Sequence, residues 1–155
     1  MSVSVKLVQF LKDNGVDYEV IPHTVSYTAQ ETAASVHTPG REVAKSVVIT
    51  DGTECVMAVV DAAHQIDLKK FSALSGMKKA ALTSEDRLRE LFPDCEPGAM
   101  PPFGNLYDIK VFVDQSLEED ETITFNAGSH FEVIRMKYAD FKKLATPEVG
   151  DFIKQ

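Results

Sequence analysis

The residues of this sequence that could do chemistry are scattered along it. Lys45 stands directly before the apolar run Val47-Val48-Ile49. A cation there is either a solvated strand end or a charge held at the rim of a pocket for an anion. Residues 93–108, PDCEPGAMPPFGNLYD, contain four prolines and two glycines. Proline stiffens the backbone, and glycine lets it turn N–H groups toward a ligand. The stretch Gly98-Ala99-Met100-Pro101-Pro102 could therefore form an oxyanion hole or anion nest without a reactive side chain. A surface loop uses the same turn residues. Residues 125–130, FNAGSH, run from an apolar strand into small residues and a histidine. Small residues allow close approach of a ligand, and His130 offers a donor or acceptor near neutral pH. The same residues fit a turn with an incidental histidine.

Covalent and metal chemistry are poorly represented. His23, His37, His64 and His130 form no HExxH or HxH pattern, so no metal site is expected. His37 and His64 read as surface loop residues. Ser46 and Ser129 lie in no GxSxG context, and Cys55 and Cys95 suggest no Cys–His pair. Cys55, inside an apolar run, reads as a buried thiol, and no disulfide is expected. GxGxxG and GxxxxGK loops are absent, and no cofactor is implied. An enzyme built from these parts would work by positioning and backbone electrostatics.

The elements that must position these residues follow from apolar spacing. Leu7, Phe10 and Leu11 predict a helix over 5–14, stopped by Gly15. VDYEVIPH alternates as a strand ending near Pro22. Thr28 to Glu31 fits a capping box for a helix toward Val36, closed by Pro39-Gly40. AKSVVITDGTECVMAVV predicts a hairpin turning at Asp51-Gly52 in type I′ geometry, central and covered on both faces. Helices are predicted with Leu68, Phe71 and Leu74 inward, with Leu88, Leu91 and Phe92 inward after a Thr83 cap, and with Tyr138, Phe141 and Leu144 inward. IKVFVD and TITFNAG supply two further strands, the last helix follows SHFEVIRM, and the tail after Pro147 reads as peripheral. Without regular βαβ alternation, the 155 residues predict a single compact α+β domain with a mixed, largely antiparallel sheet and flanking helices.

Composition narrows the partners. The net charge of −8 argues against indiscriminate nucleic-acid binding, which uses clustered Lys and Arg. Local cations are Lys45, Lys69-Lys70 and Lys78-Lys79. No segment approaches a membrane span and the N-terminus is too polar for a signal peptide, so the cytoplasm is the expected location, without a membrane partner.

VAKSVVI, GAMPP followed by FG, and NAGSH occur in that order over roughly residues 20–145. In this combination the chain resembles the YbaK/prolyl-tRNA-synthetase-associated editing domain family, and among its members the free-standing, trans-acting ones. The resemblance implies hydrolysis of the ester in misacylated tRNA. A synthetase pocket separates near-isosteric amino acids by only ~1–3 kcal/mol, so a second sieve is needed. By resemblance, Lys45 lies near the 3′-terminal adenosine and its phosphate. Gly98 and the residues to Pro102 lie against the aminoacyl group and can polarise its carbonyl, and Gly128 and His130 belong to the late turn, where His130 shapes a small pocket, orients the substrate or acts as general base; Lys45, Gly98 and His130 are thus the expected catalytic residues. Ser46, Ser129 and Tyr27 are further candidate pocket residues. The resemblance implies a metal-independent deacylase, with alanine on tRNA-Pro as the first substrate expected. Ser46 departs from the asparagine of some alanine-editing members, which leaves Ser, Thr, Cys or a non-protein amino acid open. The expected partners are the acceptor end of tRNA and, in some settings, an aminoacyl-tRNA synthetase; the oligomeric state stays open. The rival readings are a non-catalytic binding module for an amino acid, nucleotide or acylated RNA end, and a pure interaction domain without a pocket.

Overall fold

The computed structural model describes residues 4–22 and 43–154. Tyr27, His23, His37 and the helix expected after Thr28 lie outside the described residues.

One eight-stranded sheet organises the chain, in the order β1-β7-β6-β2-β3-β5-β8, with β4 pairing β2. The strands are β1 Tyr18–Pro22, β2 Val43–Thr50, β3 Cys55–Asp61, β4 Ala81–Leu82, β5 Lys110–Asp114, β6 Thr122–Asn126, β7 Glu132–Lys137 and β8 Glu148–Gly150. Four pairings are antiparallel and three are parallel, so the sheet is mixed as expected. The described helices are α1 Val5–Asp13, α2 Leu68–Ser75, α3 Glu85–Leu91 and α4 Tyr138–Ala145. None is long and apolar enough to cross a membrane.

The near-continuous apolar composition of β2 and β3 places them at the sheet's centre, where both faces are covered. On one face Met57 and Val59 of β3 meet Leu7 and Leu11 of α1 and Phe141 of α4. There Phe103 packs edge-on against Phe125 and Phe141, with centroids 5.8 and 5.5 Å away. On the other face Val56, Ala58 and Val60 meet Phe71 of α2, itself 5.2 Å from both Phe112 and Phe152.

Four local expectations are corrected. The hairpin does not turn at Asp51-Gly52 in type I′ geometry, because Thr50 and Cys55 are the last pair and enclose four residues. Asp51 Oδ1 accepts from the amides of Thr53 and Glu54 at 2.9 and 2.8 Å, and only Gly52 takes a positive φ, +97°. A type I′ turn needs two positive φ values, and the forward-reaching carboxylate selects another loop. The cap of α3 is Ser84, not Thr83: its hydroxyl accepts from the Arg87 amide. Cys55 is only partly buried; Cys95 is the buried thiol. The tail after Pro147 is not peripheral. Its residues form β8 beside β5, and Phe152 is fully buried in the second core.

Candidate active site at the carboxyl end of β6

β2 and β6 run parallel, with Val43 opposite Thr124 and Ala44 opposite Phe125. The paired register ends there, and Lys45 and Asn126 are the next residues along the two strands. Strand alternation fixes where each side chain goes. Ala44, Val48, Ile123 and Phe125 enter the larger core, whereas Val47 and Ile49 belong to the smaller one. Lys45 and Asn126 thus share one face of the sheet, and Ser46 turns to the other.

The Lys45 ammonium is half-buried. Burial holds its pKa below the ordinary lysine value, and the Asp61 carboxylate opposes that shift. Asp61 lies opposite Ala44, is 2 % exposed, and accepts from His64 Nδ1 at 2.8 Å and from the Ala63 amide at 2.9 Å. His64 is therefore more than a loop residue: it partners a buried acid. Among the described residues Asn126 Oδ1 is buried with no hydrogen-bond partner, and so is Ser46 Oγ. Unsatisfied buried polar atoms are few in folded proteins, and Thr83 Oγ1 and Tyr138 Oη share this state among the described residues.

Beyond Asn126 the chain enters Ala127-Gly128-Ser129-His130, and the proline-rich loop is knitted to this turn. Glu96 N donates to Gly128 O at 2.8 Å, and Gly128 N donates to Ala99 O at 2.9 Å. The His130 amide donates to Glu96 Oε2 at 3.1 Å, and its ring Nε2 lies 3.1 Å from Pro97 O. A carbonyl oxygen only accepts, so Nε2 carries a proton, and in the neutral ring Nδ1 is the acceptor. Gly98 lies against the face of this histidine: a Cβ there would stand 3.6 Å from His130 Cε1.

Within the loop only Gly98 is exposed; Ala99, Met100, Pro101 and Pro102 are buried. Met100 fills the larger core rather than lining a pocket. The loop's amides are partly spent inside it, since Ala99 N donates to Glu96 O at 3.0 Å. Gly98 N donates to the Met100 thioether at 3.2 Å. A thioether is a weak acceptor, so this N–H can be surrendered to a carbonyl oxygen. Gly128, at φ +103°, is a packing residue: a Cβ would meet Ser4 N and Cβ at 3.2 and 3.1 Å. Ser129 is also structural, fully buried and accepting from the Phe131 amide.

Behind Gly128, Cys95 is unsuited to nucleophilic work. Burial pushes its thiol up to about 12, so it stays protonated at neutral pH. Asp94 beside it accepts from Ser4 Oγ at 2.5 Å and Tyr107 Oη at 2.8 Å. Burial raises the Asp94 pKa, but these hydrogen bonds outweigh it and hold the carboxyl below its usual value. Among the described residues no His, Cys, Asp and Glu group could hold a metal ion.

The structure thus brings Gly98, Gly128 and His130 together, while Lys45 lines a separate groove with Val47, Gln65 and Lys154. Ser46, Ala99, Met100, Pro101, Pro102 and Ser129 face inward. Two residues escaped the sequence reading. Glu96 holds the His130 amide, and its only signal was its place before the Pro-Gly pair. Asn126 was legible as a polar residue closing an apolar strand.

Residues 23–144 match the family model described as the aminoacyl-tRNA editing domain. The Multifunctional Ser/Thr-tRNA deacylase ProXp-y of Escherichia coli (strain K12) is 29 % identical over 152 residues, covering 95 % of this chain and 90 % of that protein. The proline–tRNA ligase of Staphylococcus saprophyticus is 31 % identical over 102 residues, 66 % of this chain but 18 % of the ligase. A crystal structure provisionally named a trans-editing enzyme for prolyl tRNA synthetase superposes with a TM-score of 0.86 at 20 % identity, over 98 % of this chain and 97 % of that one.

Proposed function

The chain belongs to the aminoacyl-tRNA editing domain family, and from that premise we propose that it is a trans-acting deacylase that hydrolyses the ester of misacylated tRNA. The observation that carries the reading is the Gly98–His130 contact beyond the end of β6, with a weakly held Gly98 amide. An aminoacyl ester is already activated, so it needs a placed water and a stabilised oxyanion rather than a strong nucleophile.

In this reading Lys45 takes the phosphate of the terminal adenosine. The Gly98 N–H leaves the Met100 sulfur for the ester carbonyl oxygen and stabilises the charge that develops there. Water adds to that carbon, and the C–O bond to the ribose breaks. The amino acid leaves as its carboxylate, and the ribose hydroxyl takes back a proton. His130, tied through Nε2 to Pro97 O, fixes the loop that carries Gly98.

The amino acid is small. Asn126 Oδ1 favours one with a hydroxyl, because a serine or threonine side chain would supply the donor that this buried oxygen lacks. The relative in Escherichia coli named for Ser/Thr-tRNA supports the same choice. Alanine on tRNA-Pro is the competing substrate. The test is deacylation of tRNAs charged with alanine, serine, threonine, cysteine and proline, with Lys45→Ala beside the native chain. Selective release of one small amino acid, lost about 100-fold or more in a folded Lys45→Ala protein, is expected. Full activity of Lys45→Ala would remove this mechanism, and saturable binding without release would favour the binding module.

A further inference from the structure

Ile66 and Ile153 form an antiparallel bridge. Asp67 N donates to Phe152 O at 2.7 Å and Lys154 N donates to Gln65 O at 2.8 Å. These bonds clamp the end of the chain along residues 65–67 and hold Lys154 across from Gln65. Between this clamp, β2 and β4 lies a groove of about 380 Å3, in the size range of small-ligand sites. Its polar lining is Lys45, Gln65 and Lys154; Val47, Ile66 and Leu82 are among its apolar walls. Leu82 is 65 % exposed there.

The charge of the groove runs against that of the chain. The sequence has 24 acidic residues and 16 Lys and Arg, yet among the described residues no carboxylate lines the groove. Among the described residues neither Lys45 nor Lys154 is in an ion pair. Lys70, on the same clamp, is by contrast committed to Asp151 at 3.5 Å and to Ile153 O at 3.1 Å. Two ammonium groups outside any described ion pair, with buried Asp61 acting on one of them, a side-chain amide and an aliphatic wall are complementary to one chemical class. A nucleotide carries a phosphate for the ammonium, a base edge for the amide and a base face for the leucine.

We propose that this groove takes the nucleotide preceding the aminoacylated one at the 3′ end of tRNA, with Lys154 on its phosphate and its base over Leu82. Lys45 then stands at the junction, between the ester on the Gly98–His130 side and the upstream nucleotide in the groove. The inference rests on the proposed function for the identity of the RNA end. It explains how a chain with a charge of −8 grips an anionic strand: by local cations rather than by its overall field.

The test is a titration of a fluorescently labelled, uncharged CCA trinucleotide, followed by anisotropy, with Lys154→Gln, Lys154→Arg and the control Lys78→Gln. Lys154→Gln should weaken binding about 5–10-fold and flatten the slope of log K against log salt by about 0.7, as expected for one lost phosphate contact on a single strand. Lys154→Arg should restore affinity, and Lys78→Gln should match the native protein. No binding by the native chain, equal affinity in Lys154→Gln, or an equal loss in Lys78→Gln would each overturn the groove. Deacylation is scored separately. Release of an amino acid with no role for Lys154 would keep the proposed function and remove the groove. Lys154-dependent binding without release from any charged tRNA would do the reverse.

Discussion

Gly98→Ala tests the candidate site with the least disturbance to the rest of the fold. Gly98 is exposed, and its φ is +86°. Among the described residues a Cβ there would meet only the His130 ring, at 3.6 and 3.9 Å, which is ordinary contact. The cost is therefore conformational: an alanine held in the left-handed region loses about 1–2 kcal/mol. For a domain of this size that lowers Tm by about 2–8 °C and leaves the protein folded, because domains of this kind are stable by about 5–15 kcal/mol. The alanine relieves its strain by rotating the peptide on either side. That rotation turns the Gly98 N–H away from the Met100 sulfur and draws Pro97 O from His130 Nε2, which are now 3.2 and 3.1 Å apart from their partners. If this N–H is the oxyanion donor, its loss costs about 100–1000-fold in kcat. Thermal unfolding by circular dichroism and single-turnover deacylation, run on the same preparation, separate the two effects. Full activity with the expected drop in Tm would refute the catalytic role of the loop amide. An unchanged Tm would refute the backbone conformation itself.

Gly128→Ala should behave differently, since its Cβ would press on Ser4 at 3.1 Å in addition to the φ penalty. A loss of at least about 2 kcal/mol is expected in denaturant unfolding, with activity falling only as the folded fraction falls. Cys95 should make the protein sensitive to alkali. Its thiol is raised from 9.0 to about 12 in the fold. Above about pH 9 the unfolded chain therefore sheds a proton that the folded chain keeps, and stability falls as pH rises. Tyr107, also raised by burial, adds to this trend at higher pH. The drop in Tm between pH 8 and 11 should be shallower in Cys95→Ala than in the native chain, and equal slopes would contradict the assigned shift.

The helices and the β2–β3 hairpin were readable because their apolar spacing reports local packing: Leu7 and Leu11 of α1 and Phe71 of α2 are fully buried. What escaped depended on partners distant in sequence. The tail carries only Phe152 and Ile153 as a short apolar pair, and nothing local announces that Ile66 and Phe71 receive them. The site shows the same division. Lys45 and Ser46 are neighbours in sequence and were grouped as one pocket, but a strand sends them to opposite faces, and only the packing of β2 says which face is which.

The two glycines of the site make the physical limit plain. Gly98 and Gly128 both have positive φ and both join the same loop-to-turn seam. Their difference lies in what stands behind them. Gly128 backs onto Ser4 and Cys95, where a methyl group has no room and the chain is pinned by hydrogen bonds on both sides. Gly98 opens to solvent and to one histidine, with an amide held only by sulfur. A backbone that is tightly pinned can hold a shape but has no donor to give. A backbone that is exposed and weakly held can offer its N–H to an arriving carbonyl oxygen. The rigid glycine thus sets the position from which the looser one can act, which is why replacing Gly128 should cost stability first and replacing Gly98 should cost turnover first.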